Sequence, residues 1–374
     1  MKKTLIKLRK LLGAHRYSLE SMVIKRKPGE IYFLRELSLT SDEFTPFCKV
    51  GLVAKNRTTE QRIKEHQTGN PRKIVEQAVI KTNAVNSLET YLHDRLSPHR
   101  VAGEWFELDE QQFESVVSEA NLVATQLREM DAALSDAVAL KTTPSESVQI
   151  SPRDVDLEQH RSLLAIKRQV LILEAEQKIL ELKLRHEMGH RAGIVGMIAV
   201  TAVSSPKKLD QSKLKREHPE IFSRFLVPQP DKVVGAFKVI ASPTKRDLPA
   251  HLVEEMNELQ SKLDGSHIDL KSGSLDRVSK EIRRTYQQYL KIESQLAELR
   301  LQAAMLETLL QQACSTNSGI AGVCVWKRAS KVQPPKFDAE KFKSHYSDLY
   351  STCLVKPRSS VRVSFKPPRL KSVE

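Results

Sequence analysis

The sequence predicts an α+β protein: a small antiparallel sheet with flanking helices, then a mostly helical, duplicated region with coiled-coil hairpins and short strands. Three observations predict it. Residues 29–112 alternate short strand-like runs with helix-starting signals. Asp154 to Met188 and Leu275 to Ala313 keep apolar residues at three- and four-residue spacing, the pattern of long packing helices. Residues Pro206 to Lys238 return, without gaps, at Pro334 to Lys366.

The elements follow in order. Residues 1–28 form a basic arm whose apolar residues are broken by Lys7, Arg9 and Lys10, so it reads as a short amphipathic helix and not as a signal peptide. Residues 29–112 form the first domain. Ile31 to Leu37 is a strand, Thr40 to Pro46 a turn-rich loop, and Phe47 to Val53 the return strand. Thr58 and Gln61 cap a helix running to about His66, which Gly69-Asn70-Pro71 ends. Ile74 to Ile80 is a third strand. Asn86 and Ser87 open a helix to about Leu96, Pro98 stops it, and Trp105 to Leu108 is a short final strand. An amphipathic helix follows, carrying the chain through 113–140, and 141–153 is a polar linker. Residues 154–245 and 246–374 are the two copies of the C-terminal unit, with a further helix at Pro249 to Leu263 and a basic tail.

The duplication is specific. Eleven of 33 aligned positions are identical at an offset of 128, among them Lys208/Lys336, Asp210/Asp338, Lys213/Lys341, Lys215/Lys343 and Phe237/Phe365. Upstream, Gly193 to Val200 matches Gly319 to Trp326 with a two-residue shift. Each unit therefore reads as a long helix, a glycine-started strand, a basic turn, a short helix and a strand.

Composition narrows the function. The chain has 374 residues, well above the ~150 of one domain. Sixty Lys and Arg against 46 Asp and Glu give a net charge of +14, and the excess lies toward the two ends. Such a balance predicts an anionic partner, with DNA the leading one. The longest apolar run, Gly193 to Val203, is shorter than the ~20 residues a membrane helix needs, so no membrane is expected. Cys48, Cys314, Cys324 and Cys353 form no C-x-x-C pair, which fits a reducing, cytoplasmic setting. The long helices allow a homo-oligomer.

The chemistry-bearing residues of the first domain come in a fixed order. They are Gly29-Glu30-Ile31-Tyr32, Lys49-Val50-Gly51, Arg62 with His66, Asn70-Pro71, Glu89 with His93, and Gly103-Glu104-Trp105-Phe106. Arg62 and His66 stand four apart, as do Glu89 and His93, so each pair shares a helix face. This set resembles the GIY-YIG nuclease superfamily, in particular its phage-type branch with Lys-[Ile/Val]-Gly as second motif. The resemblance implies a metal-dependent endonuclease acting on DNA phosphodiester bonds. It implies Glu89 as the protein ligand of Mg²⁺ (or Mn²⁺), Tyr32 as an aid in deprotonating the attacking water, and Lys49 where relatives carry a second tyrosine. Arg62 would clamp the scissile phosphate and His66 relay a proton or touch phosphate. His93 reads as fixing local structure, and Glu104, Trp105 and Phe106 as locking the domain together.

The duplicated units are also similar, more faintly, to the segment after the catalytic core of YqaJ-type phage exonucleases. Their cations Lys208, Lys213, Lys215, Lys336, Lys341 and Lys343 are candidates for phosphate contact, in company with Lys207, Arg216, Lys327, Arg328 and Lys331. Trp326 and Tyr346 read as core residues, with base stacking as the other use of an aromatic there. A rival reading keeps the first domain as a non-catalytic scaffold, with the chain acting as a DNA-binding or adaptor protein. RNA cleavage is a third.

Overall fold

The fold is given by a computed structural model that describes residues 6–7, 23–54, 57–203, 206–263, 267–356 and 360–365. Most of the expected N-terminal amphipathic helix, and the tail from Lys366, lie outside these residues.

The first domain is built on a five-stranded antiparallel sheet. Strands β1 (Gly29–Leu37), β2 (Phe44–Val53), β3 (Ile74–Thr82), β4 (Arg100–Ala102) and β5 (Trp105–Glu107) lie in the order β3-β1-β2-β5-β4. Alternation along β1 sorts its side chains between two faces. Ile31 and Phe33 join the main core with Cys48 and Val50. Tyr32 and Leu34 face the other side, with Val53 and Ile74. The return strand starts at Phe44, three residues earlier than its apolar run implies, because Leu37 pairs with Phe44 across an irregularity in β1.

Helix α1 (Thr59–Gln67) starts at the expected capping box of Thr58 and Gln61. Helix α2 (Val85–Arg95) begins before Asn86 and Ser87, and neither caps it. The backbone of Lys27 takes that role by accepting the Val85 N–H. The helical stretch after the sheet divides at Met130 into α3 (Glu110–Glu129) and α4 (Asp131–Leu140).

The C-terminal region is organised by two helices of equal length, α5 (Asp154–Met188) and, later in the chain, Lys280–Cys314, each of 35 residues. Asp156 secures the start of α5 by accepting from the Arg153 N–H and guanidinium. The two helices run antiparallel, since Lys167 meets Glu307 at 2.7 Å and Glu174 meets Arg300 at 2.9 Å. Between them in sequence come α6 (Gln211–Glu217), α7 (Pro219–Arg224) and α8 (Ala250–Leu263), so the second long helix is α9. Helices α10 (Ala339–His345) and α11 (Ser347–Thr352) repeat α6 and α7 at an offset of 128.

The copies do not fold side by side as separate units; they exchange partners. Strand Lys208–Leu209 of the first pairs with Leu354–Val355 of the second. Its counterpart Lys336–Phe337 pairs with Leu226–Val227 of the first. Lys232–Val234 pairs with Ala329–Lys331, and Ile198–Val203 with Ser360–Ser364. These four pairings form two mated sets under exchange of the copies, which is two-fold pseudosymmetry within one chain. One mixed core results: Leu214 and Phe225 of the first copy pack with Phe337, Phe342 and Cys353 of the second. The identical Asp210 and Asp338 cap α6 and α10, each accepting a backbone N–H at 2.9 Å. The 141–153 segment is tied to the second copy, with the Ser145 N–H donating to the Arg328 carbonyl and the Ile150 N–H to the Gly319 carbonyl.

Candidate active site

The site lies on the Tyr32 face of the sheet. Tyr32 on β1 is fully buried and pairs with Gly51 on β2. Its phenol lies across Gly51, and a Cβ there would overlap the ring and hydroxyl. The glycine of Lys49-Val50-Gly51 is thus explained by close approach. Two residues earlier on the same face, the buried Lys49 side chain reaches Glu104 with Nζ 2.6 Å from Oε2.

Helix α1 closes over this face. His66 Nε2 lies 3.3 Å from the Tyr32 hydroxyl. Arg62, one turn earlier, lies against the same phenol, pulling its pKa down against a larger upward push from burial. Arg62 also pairs with Glu65 through Nη1, while its buried Nε has no hydrogen-bond partner. Burial, then the charges of Lys49 and Arg62, push His66 down to about 4. It is therefore neutral near pH 7, and its Nε2 is placed to accept a hydrogen bond from the Tyr32 hydroxyl.

Glu89 comes from α2. His93, one turn on, sits 2.9 Å from the Val50 carbonyl and holds α2 against β2. Its position thus agrees with the structural role read for it. The Glu89 carboxyl is half-buried. Burial, then the negative charge of Glu104, raise it to about 7, with Lys49, Lys27 and Arg62 opposing. Tyr32, Lys49, Arg62, His66 and Glu89 therefore share one electrostatic neighbourhood. Glu104 belongs to it as well. In the sequence it reads as a packing residue beside Trp105, because its partner Lys49 is 55 positions away. The turn at Gly103, with φ +56°, delivers it. Lys27, the other charge felt by Glu89, carries no sequence signal of its own.

Among the described residues no three His, Cys, Asp or Glu side chains gather as a metal cluster. Mg²⁺ does not require one: it takes one or two carboxylates and keeps several waters. A half-buried Glu89 whose ionisation is opposed by Glu104 is a donor set that a hydrated Mg²⁺ or Mn²⁺ fits.

The six lysines of the duplicated region are not part of this cluster. Lys208, Lys215, Lys336, Lys341 and Lys343 are exposed on the two exchanged lobes, while Lys213 is partly buried and reaches the Thr352 carbonyl of the other copy. Lys343 also lies over the Tyr350 ring. Arg328 leaves the basic set. It is buried, donates to the Thr143 and Ser315 carbonyls, and covers the Trp326 ring. Trp326 is 1% exposed and packs edge-on against Phe237, so it cannot stack on a base; Tyr346 packs on Phe342.

Residues 29–121 match the family model of the T5orf172 domain, a phage-associated domain related to the GIY-YIG/HNH-type nuclease-like fold. The chain matches no curated protein and no solved structure. The likeness of the duplicated units to YqaJ-type exonucleases gains no support from these comparisons. Among the described residues no helix is long and apolar enough to cross a membrane.

Proposed function

We propose that the chain is a metal-dependent endonuclease that hydrolyses DNA phosphodiester bonds through a GIY-YIG-type site in its first domain, with the duplicated region gripping or positioning the DNA. One observation carries this reading. Tyr32, Lys49, Arg62, His66 and Glu89, drawn from two strands and two helices, influence one another electrostatically in a single cluster.

Each residue has a role suited to its state. Glu89 would hold Mg²⁺ or Mn²⁺. When bound, the ion supplies charge stabilisation at the phosphoryl and leaving oxygens. Tyr32 would help to deprotonate the attacking water, its hydroxyl held in place by the neutral His66 Nε2 at 3.3 Å. The Arg62 guanidinium, set against the Tyr32 phenol and Glu65, would supply the positive charge that clamps a non-bridging phosphate oxygen. Lys49 adds a positive charge that Glu104 balances while no phosphate is present. The exposed lysines of the two lobes, retained in both copies, suit sequence-independent contact with the DNA backbone.

The test is a supercoiled-plasmid assay with Mg²⁺, comparing the intact chain with Glu89→Ala, each with and without EDTA. The expected result is cleavage that requires both metal and Glu89. A protein that shifts DNA in a gel but cuts neither plasmid, structured DNA nor RNA overturns the nuclease reading in favour of the adaptor.

A further inference from the structure

We infer that this chain works as a single-headed nickase: a self-contained pseudo-dimer carrying one cutting centre, which breaks one strand of a duplex per encounter. The inference rests on the nuclease reading above and deepens it.

The first ground is that the symmetric interface is used up inside the chain. The long helices that make oligomerisation conceivable pack on each other, with Glu174 and Arg300 at the centre of the pseudo-dyad. These two occupy equivalent positions, each 20 residues into its helix, and bond across the axis at 2.9 Å. Five strand pairings between the copies complete the union. Two bridges do the same for the segments entering each long helix, Ile150 with Ile320 and Ile194 with Leu275. The contacts a homodimer of single units would make are thus already made.

The second ground is that the two copies present different faces to a cutting domain. On α9, Ala297, Leu301 and Ala304 are small or apolar and enter the core of the sheet domain. Ser294 completes the seat: its hydroxyl accepts from the Arg95 guanidinium at 2.8 Å and donates to the Arg95 carbonyl at 2.7 Å. The equivalent positions on α5 are Leu171, Ala175, Lys178 and Arg168. Arg168 would set like charge against Arg95. Lys178 is committed to Glu181 at 2.8 Å. The same side of α5 is covered by α8, where Leu252 packs with Ala175 and Ile179. The platform is two-fold, but its seat for the cutter is one-sided.

The experiment combines mass with product order. The full chain is sized by light scattering, and supercoiled plasmid is digested with Mg²⁺ at the same protein concentration. The expected mass is that of one chain, 42.4 kDa. Open circles should accumulate until nearly all supercoiled plasmid is consumed, with linear DNA following from later independent hits. Replacing half of the protein by Glu89→Ala should halve the rate. A mass of two chains, linear DNA among the first products, or a rate reduced to one quarter overturns the inference while leaving the nuclease reading intact. Failure to cut at all removes the nuclease reading and this inference with it.

Discussion

Charges between the long helices meet their opposites at close range: Lys167 lies 2.7 Å from Glu307 and Arg300 2.9 Å from Glu174. The sheet domain has such pairs too, Arg35 with Glu110 and Lys49 with Glu104, each at 2.6 Å, but its candidate site holds other groups in unfavourable states. His66 is driven to its neutral form, and Glu89 is held partly protonated near pH 7 by burial and a neighbouring carboxylate. Paired buried charges fix geometry. Charges held in an unfavourable state mark a place where something else is meant to bind. The difference separates the structural ion pairs of this chain from its candidate chemistry.

The most forceful way to sharpen this contrast is Glu89→Gln, which should act in opposite directions on activity and stability. Cleavage should fall about 10³-fold, the usual scale for removing a key electrostatic group. Stability should rise, and only at higher pH. Burial and the Glu104 charge push the folded carboxyl up to about 7, above the ordinary carboxylate range, so the native state holds this proton more tightly than the unfolded chain. The group weakens the fold as pH climbs from about 4.5 through 7, and the glutamine removes that penalty. Urea unfolding should show the variant about 1–2 kcal/mol more stable at pH 8, after discounting for partial exposure, and no more stable at pH 4. The same logic makes binding of Mn²⁺ by the intact protein weaken below pH 7, roughly tenfold per unit if Glu89 is the main ligand, as titration calorimetry would read. Equal stability of the two proteins at pH 8 would return Glu89 to the class of ordinary surface acids.

The duplicated region should respond in the opposite sense. Arg300→Met leaves the mostly buried Glu174 without its cation, so unfolding free energy should drop by about 2–3 kcal/mol. Cleavage by the folded fraction should be little changed. A loss of cleavage without a loss of stability would mean that the pseudo-dyad does more than hold the copies together.

Much of this contrast could be read from the sequence, because local signals announced it. The span of α5, Asp154 to Met188, is legible to the residue in the three- and four-residue spacing of its apolar side chains. The ordered Tyr, Lys-Val-Gly, Arg-x-x-x-His and Glu pointed to one site because each motif sits within a single strand or helix. What could not be read is what depends on distant chain segments. The start of α2 is set by Lys27, 58 positions before Val85. Glu104 joins the cluster through Lys49. The break at Met130 comes without glycine or proline. The duplication was plain, but the exchange of strands between copies was not, since the repeated sequence is equally compatible with each copy pairing with itself.

The smallest effect expected is at the exposed lysines, and it bears most directly on whether both copies serve the same task. Changing Lys336, Lys341 and Lys343 to alanine should leave stability within about 0.5 kcal/mol, because the positions are exposed. It should weaken DNA binding chiefly at low salt. If each lysine meets a phosphate, the slope of log affinity against log salt should flatten by about 2–3. The corresponding set in the first copy, Lys208, Lys213 and Lys215, sits at pseudosymmetric positions, so its replacement should flatten the slope by a similar amount. Fluorescence anisotropy over a salt series compares them directly. Equal losses mean that the pseudo-dyad presents both lobes to one duplex. Loss from one set alone means that the second copy has kept its lysines for another anionic surface, and that the symmetry of the fold is no longer a symmetry of binding.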